Sequence, residues 1–248
     1  MRAATICRVF LALSCFSISP AFALRYVKTN LPGLIDRAAF VFEGEVAAVD
    51  IGAGDKEPRT RVTVRVERVL AGDAPPSMLE FMLPMGLMAD GTLLDIAEAP
   101  RFAAGERYLV FYKRGDWNIS PVVNWDQGYY RLVQVGAQTY FTSSGGHCVT
   151  GVSTDGFSLG GQITQPVQPP GFGEVHDEGL HTAFSTASCL PADAVRAALA
   201  RQLDAHPVAN GAPFQQAPAS NILFRRLRPE AATDVCTDLA SCGPGDYR

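Results

Sequence analysis

The segment 60–68 constrains the fold of this chain more than any other part of the sequence. Valine occupies positions 62, 64 and 66, and polar or charged residues occupy the positions between them. A period of two places the valines on one side of a β-strand and the polar side chains on the other. A strand with one apolar, buried face and one polar, solvent-exposed face is typical of an antiparallel sheet. The segment therefore predicts an antiparallel sheet with a single buried face.

Similar short segments, rich in β-branched and aromatic residues, recur along the first two thirds of the chain. Gly, Asp and Pro separate them, and Asp155-Gly156 predicts a hairpin turn. A polar loop is predicted over 50–59. Such a series without strand–helix–strand alternation predicts a mainly β fold, as a barrel or a sandwich. The predicted strands are 39–46, 60–68, 79–83, 92–96, 107–112, 122–124, 129–135 and 139–142.

Two helices are predicted beside these strands. A short helix begins at Leu31, with Asn30 as its N-cap and apolar residues at helical spacing. An amphipathic helix begins near Pro191 and ends at His206-Pro207. The segment 160–179 between the strands and this helix is rich in Gly, Gln and Pro and predicts a long surface loop.

Residues 1–23 have the features of a cleaved secretory signal. Arg2 and Arg8 precede a short apolar segment, and Ala21-Phe22-Ala23 is the small-x-small pattern of a cleavage site. The apolar run is roughly half of what a membrane-spanning helix requires. A lipoprotein signal ending at Cys15 is the competing interpretation and the poorer match. We expect cleavage after Ala23, export to the periplasm or the medium, and no transmembrane segment.

The charge of the chain limits the class of partner. Removing residues 1–23 takes away two arginines and no acids, so the formal net charge falls from −4 to −6. A mildly acidic chain without a basic run argues against nucleic acid as a partner. We expect a protein or a small polymer instead, and the sequence does not specify the oligomeric state.

Four cysteines remain after residue 23. An even number in an oxidising compartment predicts disulfides, and four cysteines allow three pairings. The short spacing of the last two favours a local bridge between them, which leaves the first two to pair. Zinc binding is the competing interpretation, but no Cys-x-x-Cys pair is present. The four residues are Cys148, Cys189, Cys236 and Cys242.

The order of elements in the N-terminal half resembles a known module. A short helix is followed by the segments 36–46, 60–72 and 105–112. This order is similar to the netrin-like module of tissue inhibitors of metalloproteinases and to bacterial exported proteins with a similar domain. The resemblance implies a five-stranded OB-type barrel over 24–135. The inhibitors chelate the zinc of a protease with an N-terminal cysteine, whereas the expected mature chain here begins at Leu24, so that mechanism does not transfer.

We therefore expect an OB-like antiparallel barrel with additional strands, one amphipathic C-terminal helix and a disulfide-bearing tail. The expected organisation is a signal peptide over 1–23 and a barrel over 24–135. A β extension, a long loop and a helix follow over 136–206, and a linker and tail over 207–248.

Methionines form the most unusual cluster in the sequence. Met78, Met82, Met85 and Met88 lie three or four residues apart. Thioethers are soft ligands suited to Cu(I), so Met82, Met85 and Met88 are a candidate copper site. Packing of these flexible side chains in a core is the alternative.

A second candidate metal site contains histidine. His176 and His181 enclose two carboxylates, which suits Zn²⁺. Four residues separate these histidines, whereas the helical zinc-protease motif has three, and nearby glycines disfavour a helix. A solvated polar loop is the alternative. No other cofactor is predicted.

Aromatic residues suggest a ligand groove. Trp117, Trp125, Tyr129 and Tyr130 lie close together in sequence, where they could line a groove or belong to the core. No catalytic residue is predicted, since the sequence lacks a nucleophile elbow and a phosphate-binding glycine loop. The leading hypothesis is an exported, non-catalytic binding module. The alternatives are a copper- or zinc-binding accessory protein and a hydrolase without a recognisable motif.

Overall fold

The computed structural model describes residues 28–54, 58–88, 90, 92–96, 99–113, 120–167, 185–208 and 223–226. Several sequence predictions lie outside these residues: the signal segment 1–23, residues 168–179 of the predicted loop, the linker and tail except for 207–208 and 223–226, and five candidate site residues. Those five residues are Trp117, His176, His181, Cys236 and Cys242.

The described residues form a mainly β protein with a helix near the C-terminal end, as the sequence predicts. Eight strands follow one another in the largely antiparallel sheet in the order β10-β9-β8-β7-β6-β1-β2-β3, while β11 pairs with β1, and β4 pairs with both β1 and β5. The elements are α1 (Leu31–Arg37), β1 (Ala38–Gly54), β2 (Arg59–Gly72), β3 (Met78–Leu83), β4 (Gly86–Met88), β5 (Leu93–Leu94), β6 (Arg107–Lys113), a 3₁₀ helix (Trp125–Gly128), β7 (Tyr129–Val135), β8 (Gln138–Thr142), β9 (His147–Ser153), β10 (Gly156–Gln162), α2 (Ala192–Ala205) and β11 (Leu223–Arg226).

Local sequence signals place the helices and the two-residue period correctly. The side chain of Asn30 accepts a hydrogen bond from Gly33 N at 3.0 Å, which confirms it as the N-cap of α1. Along β2 the side chains of Val62 and Val64 are buried, and the alternating residues Arg61 and Thr63 are more exposed. The predicted hairpin turn at Asp155-Gly156 joins β9 to β10.

Several predicted boundaries are wrong, among them the start of the loop predicted over 160–179, because residues 160–162 belong to β10. The segment 50–59 is not all loop, because β1 continues to Gly54 and its ladder with β2 reaches the pair Gly52–Arg59. Asp50 is accommodated in this ladder, although it is buried, because the guanidinium of Arg61 donates to its carboxylate. The strand predicted over 122–124 is only a single bridge between Val122 and Tyr112, after which the chain turns.

The sheet curls around one of its faces. Phe81 on β3 and Tyr112 on β6 are separated by two intervening strands, and three strand spacings in a flat sheet would be about 14 Å. Their ring centroids are 5.9 Å apart. Phe102 in the connection before β6 packs at 5.4 Å from Phe81 and 4.8 Å from Tyr108. The described residues are therefore barrel-like in curvature, with Phe102 filling the concave side.

The central strands are buried on both faces. On β6, Tyr108, Val110 and Tyr112 belong to the core inside the curved sheet, while Leu109 and Phe111 belong to a second core. That second core packs α1 and α2 against the outer face of the sheet. This explains why β6 is a continuous apolar segment and not an alternating one.

The C-terminal helix is attached to the sheet by three kinds of contact. The predicted disulfide Cys148–Cys189 is present and joins β9 to the segment before α2. Leu190 N donates to Val149 O at 2.8 Å, and Arg196 on the helix pairs with Glu43 on β1. Among the residues described, neither helix is both long and apolar enough to cross a membrane.

The domain boundary predicted at residue 135 falls inside one sheet. β7 and β8 flank it as an antiparallel hairpin, with Val135 opposite Gln138. β9 continues the sheet through the pair Thr142–Cys148, and β10 follows it. The predicted division into domains remains a prediction.

Candidate binding cleft

A cleft of about 590 Å³ lies where four separate segments of the chain meet. The segments are the residues before and within α1, the 3₁₀ turn with the start of β7, the end of β8, and the β9–β10 hairpin. We call it the hairpin cleft. Its volume is within the range of small-ligand pockets. Its lining residues are Lys28, Thr29, Leu34, Asp126, Gln127, Tyr130, Ser143, Ser153, Asp155, Gly156, Phe157, Ser158 and Leu159.

The apolar part of the cleft is an edge of the second core. Phe157 packs on Tyr130, with ring centroids 4.2 Å apart and planes inclined at 36°. Phe111 meets Phe157 edge-on at 6.2 Å. Tyr130 and Leu34 are buried, whereas Phe157 is only partly buried. The packing holds the Phe157 ring in place, while part of its surface stays accessible.

Hydrogen bonds fix the wall formed by the N-terminal segment and the 3₁₀ turn. Gln127 Oε1 accepts from Thr29 N at 3.0 Å and from Asn124 Nδ2 at 2.9 Å, and Asn124 Nδ2 also donates to Thr29 Oγ1. Leu31 N donates to Thr154 O at 3.0 Å and so ties the same segment to the hairpin. The N-terminal segment therefore links two walls of the cleft.

The backbone beside the cleft is strained. Asn124 has φ 52° and Trp125 has φ 53°, so two consecutive non-glycine residues adopt the left-handed conformation. Asn tolerates this conformation, but for a bulky residue such as Trp it is an outlier that costs about 1–3 kcal/mol. Gly128 closes the turn, and a Cβ there would lie 1.9 Å from Val123 O. Strain held in place by packing often accompanies functional sites.

The cleft carries few charges and many hydrogen-bonding groups. Lys28, Asp126 and Asp155 are its charged residues, one positive and two negative. Within the described residues, the exposed carboxylate of Asp155 makes no ion pair and no side-chain hydrogen bond. The serine hydroxyls at 143, 153 and 158 also line the cleft. This lining suits a ligand that is rich in donors and acceptors and carries little net charge.

The predicted aromatic residues separate onto two faces of the sheet. Tyr130 lines the cleft, whereas Tyr129 lies in the core inside the curved sheet and accepts a hydrogen bond from Arg101 N at 3.1 Å. Burial raises the pKa of Tyr129 to about 12. Trp125 is partly buried against the same core as Tyr129. A groove shared by all four aromatic residues remains a prediction, because Trp117 lies outside the described residues.

Sequence reasoning missed Lys28, Gln127, Asp155 and Phe157 as cleft residues. Thr29 and Gln127 are hydrogen-bonded although 98 residues separate them in sequence. The Asp155-Gly156 turn was the only local signal, and it indicated a hairpin without showing what the hairpin faces. Only the fold brings these side chains together.

The predicted methionine ligands lie in different environments. On β3 the side chains alternate, so Met82 lies on the face opposite to Phe81, whereas Met85 after the strand is buried in the core with Phe81. Met88 is partly buried on β4. Among the described residues, no three His, Cys, Asp or Glu side chains are grouped to hold a metal ion. The copper and zinc sites stay untested hypotheses.

Comparison of the chain with protein-family models, with curated proteins and with solved structures found no match.

Proposed function

We propose that this chain is an exported, non-catalytic binding module that recognises a protein or a small polymer through the hairpin cleft. The observation that carries the proposal is the cleft itself. It combines an aromatic pair, Tyr130 and Phe157, with a rim of hydroxyl, amide and carboxylate groups. A rigid apolar base with polar groups around it is the usual construction of a ligand site.

The way the cleft is held together supports a role in binding. Hydrogen bonds from Thr29 and Asn124 orient the amide of Gln127, and packing holds Phe157 on Tyr130. Side chains that are fixed before a ligand arrives lose little conformational entropy when it binds.

Export is supported by the disulfide together with the sequence of residues 1–23. Disulfides form and persist mainly in oxidising compartments such as the periplasm and the extracellular medium. The Cys148–Cys189 bridge suits that environment. Mass spectrometry of the mature N-terminus tests export directly: Leu24 as first residue supports cleavage after Ala23, and an acylated Cys15 contradicts it.

The finer fold assignment, a netrin-like OB-type barrel, also belongs to this proposal. Its support is the short helix before β1 and the curvature that brings Phe81 to Tyr112. Shared fold does not determine function, so the proposal of a binding module rests on the cleft and not on the barrel.

Capture of a partner by the purified protein tests the proposal. Ser158→Arg places a long, charged side chain in the cleft, and Ser185→Arg makes the same change at an exposed residue outside it. We expect wild type and Ser185→Arg to capture the same partner and Ser158→Arg to lose it. Equal capture by all three proteins would show that the cleft is not the binding surface.

The metal-binding alternative has a separate test. Protein purified under reducing conditions is analysed for copper and zinc, and the triple substitution of Met82, Met85 and Met88 is compared with wild type. A stoichiometric metal that is lost in the triple variant supports this alternative, and absence of metal from wild type removes it.

A further inference from the structure

We propose that the ligand of the hairpin cleft is a short chain of neutral sugars, one ring of which lies against Phe157. This inference rests on the proposed function and names the chemical class of the ligand. Sugars carry an apolar C–H face and a perimeter of hydroxyl groups. They therefore match a site in which an aromatic ring is surrounded by hydrogen-bonding side chains.

The ring of Phe157 is suited to this contact because neighbouring aromatic rings fix its position while part of its surface stays accessible to a ligand. Tyr130 at 4.2 Å and Phe111 at 6.2 Å pack against it from within the second core. Phe157 itself remains partly exposed and lines the cleft. A sugar face placed there would bury apolar surface without moving the core.

The cleft offers the hydroxyl groups of the sugar both a hydrogen-bond donor and a hydrogen-bond acceptor. Gln127 Oε1 is already occupied by Thr29 N and Asn124 Nδ2, which leaves the Nε2 end of the amide as a donor. The carboxylate of Asp155 on the hairpin accepts hydrogen bonds only and makes none with a side chain among the described residues. A sugar hydroxyl both donates and accepts, so it can bond to either group.

The charges favour a neutral ligand. The cleft is lined by one positive residue, Lys28, and two negative ones, Asp126 and Asp155, so it has no excess of positive charge to hold a polyanion. The chain as a whole carries a formal net charge of −4, which repels acidic polymers at long range. A peptide that enters the same cleft is the competing occupant, and the experiment separates the two.

The test measures binding of the full chain to an array of bacterial, plant and animal glycans. Any hit is then measured by calorimetry with the matching tetrasaccharide, for example cellotetraose, maltotetraose or chitotetraose. We expect at least one neutral glycan to bind, and Asp155→Asn and Phe157→Leu each to weaken that binding at least tenfold. Asp73→Asn is the matched control, because it removes the same charge from an exposed turn between β2 and β3, and its affinity should equal that of wild type.

The outcomes distinguish this inference from the proposed function. No glycan binding, together with capture of a protein that Ser158→Arg abolishes, would overturn the carbohydrate inference and leave the binding module standing. Glycan binding that is unchanged in Asp155→Asn and Phe157→Leu would also overturn it, because the sugar would then lie elsewhere. Failure of both glycan binding and cleft-dependent capture would overturn both proposals.

Discussion

Arg196 on α2 donates two hydrogen bonds to the carboxylate of Glu43 on β1, at 2.7 and 2.8 Å, across 153 residues of sequence. The guanidinium also lies 5.3 Å from the centre of the Phe141 ring. Asp193 accepts a further bond from it, and the pKa of Arg196 is raised, chiefly by the hydrogen bonds to Glu43. The pair fixes the position of the helix on the sheet, because its two planar groups meet in only one orientation.

Substitution of either partner should destabilise the protein. Arg196→Ala leaves the mostly buried Glu43 carboxylate without its main partner. The expected loss of unfolding free energy is about 2–4 kcal/mol, between the values for exposed and fully buried pairs. Arg201→Ala on the exposed side of the same helix is the control and should change the free energy of unfolding by less than about 0.5 kcal/mol. Urea unfolding measures the free energy of unfolding of both variants. Equal effects of the two substitutions would show that the Arg196–Glu43 pair does not stabilise the protein.

High pH should unfold the protein through its buried tyrosines. Burial raises the pKa of Tyr129 from 10.0 to about 12 and raises the pKa values of Tyr108 and Tyr112 as well. The folded state therefore retains phenolic protons that the unfolded chain has lost. Stability is full below pH 10 and falls as the pH rises through this window, by about 2 kcal/mol at pH 12 for Tyr129 alone.

Tyr129→Phe tests this linkage. At neutral pH the variant should be less stable than wild type by about 1 kcal/mol, because Arg101 N loses its acceptor. Above pH 10 the difference should shrink or reverse, since the variant has one phenol fewer to ionise. Denaturant unfolding at neutral and alkaline pH measures both values. A difference that does not change with pH would argue against Tyr129 as a source of the alkaline instability.

The predictable parts of this fold are those determined by neighbouring residues. The alternation of Val62 and Val64 placed the buried face of β2, and Asn30 marked the start of α1. The extension of β1 through Asp50 was not predictable, because the buried carboxylate is paired there with Arg61 on the next strand. The cleft was missed for the same reason: its walls come from four segments that are distant in sequence.

The 3₁₀ turn beside the cleft should tolerate no side chain at position 128. A Cβ on Gly128 would lie 1.9 Å from Val123 O, a backbone atom that moves only if the turn changes shape. We expect Gly128→Ala to cost about 2 kcal/mol or more and to weaken ligand binding. Gly161→Ala is the matched control, because nothing lies within 4 Å of the Cβ it would add. Similar melting temperatures for the two variants would contradict this prediction.

The disulfide should contribute to stability by restricting the unfolded chain. Cys148 and Cys189 are 41 residues apart, and closing a loop of that length is worth about 3–4 kcal/mol in the chain-entropy model. Replacing both cysteines by alanine should therefore lower the melting temperature by about 10 °C. The folded structure should persist, because the second core and the Glu43–Arg196 pair still hold α2 on the sheet. Calorimetry of the double variant measures the loss.

Peptide mapping without reductant checks independently that the Cys148–Cys189 bridge forms. It should recover Cys148 and Cys189 in one linked peptide, and it also tests the predicted pairing of Cys236 with Cys242. Replacing Cys236 and Cys242 by alanine is the matched control: a bridge there would close a much shorter loop, so its removal should cost less. If the variant without Cys148 and Cys189 melts at the same temperature as wild type, the prediction is wrong. The contacts of α2, and not the covalent link, would then hold the helix on the sheet.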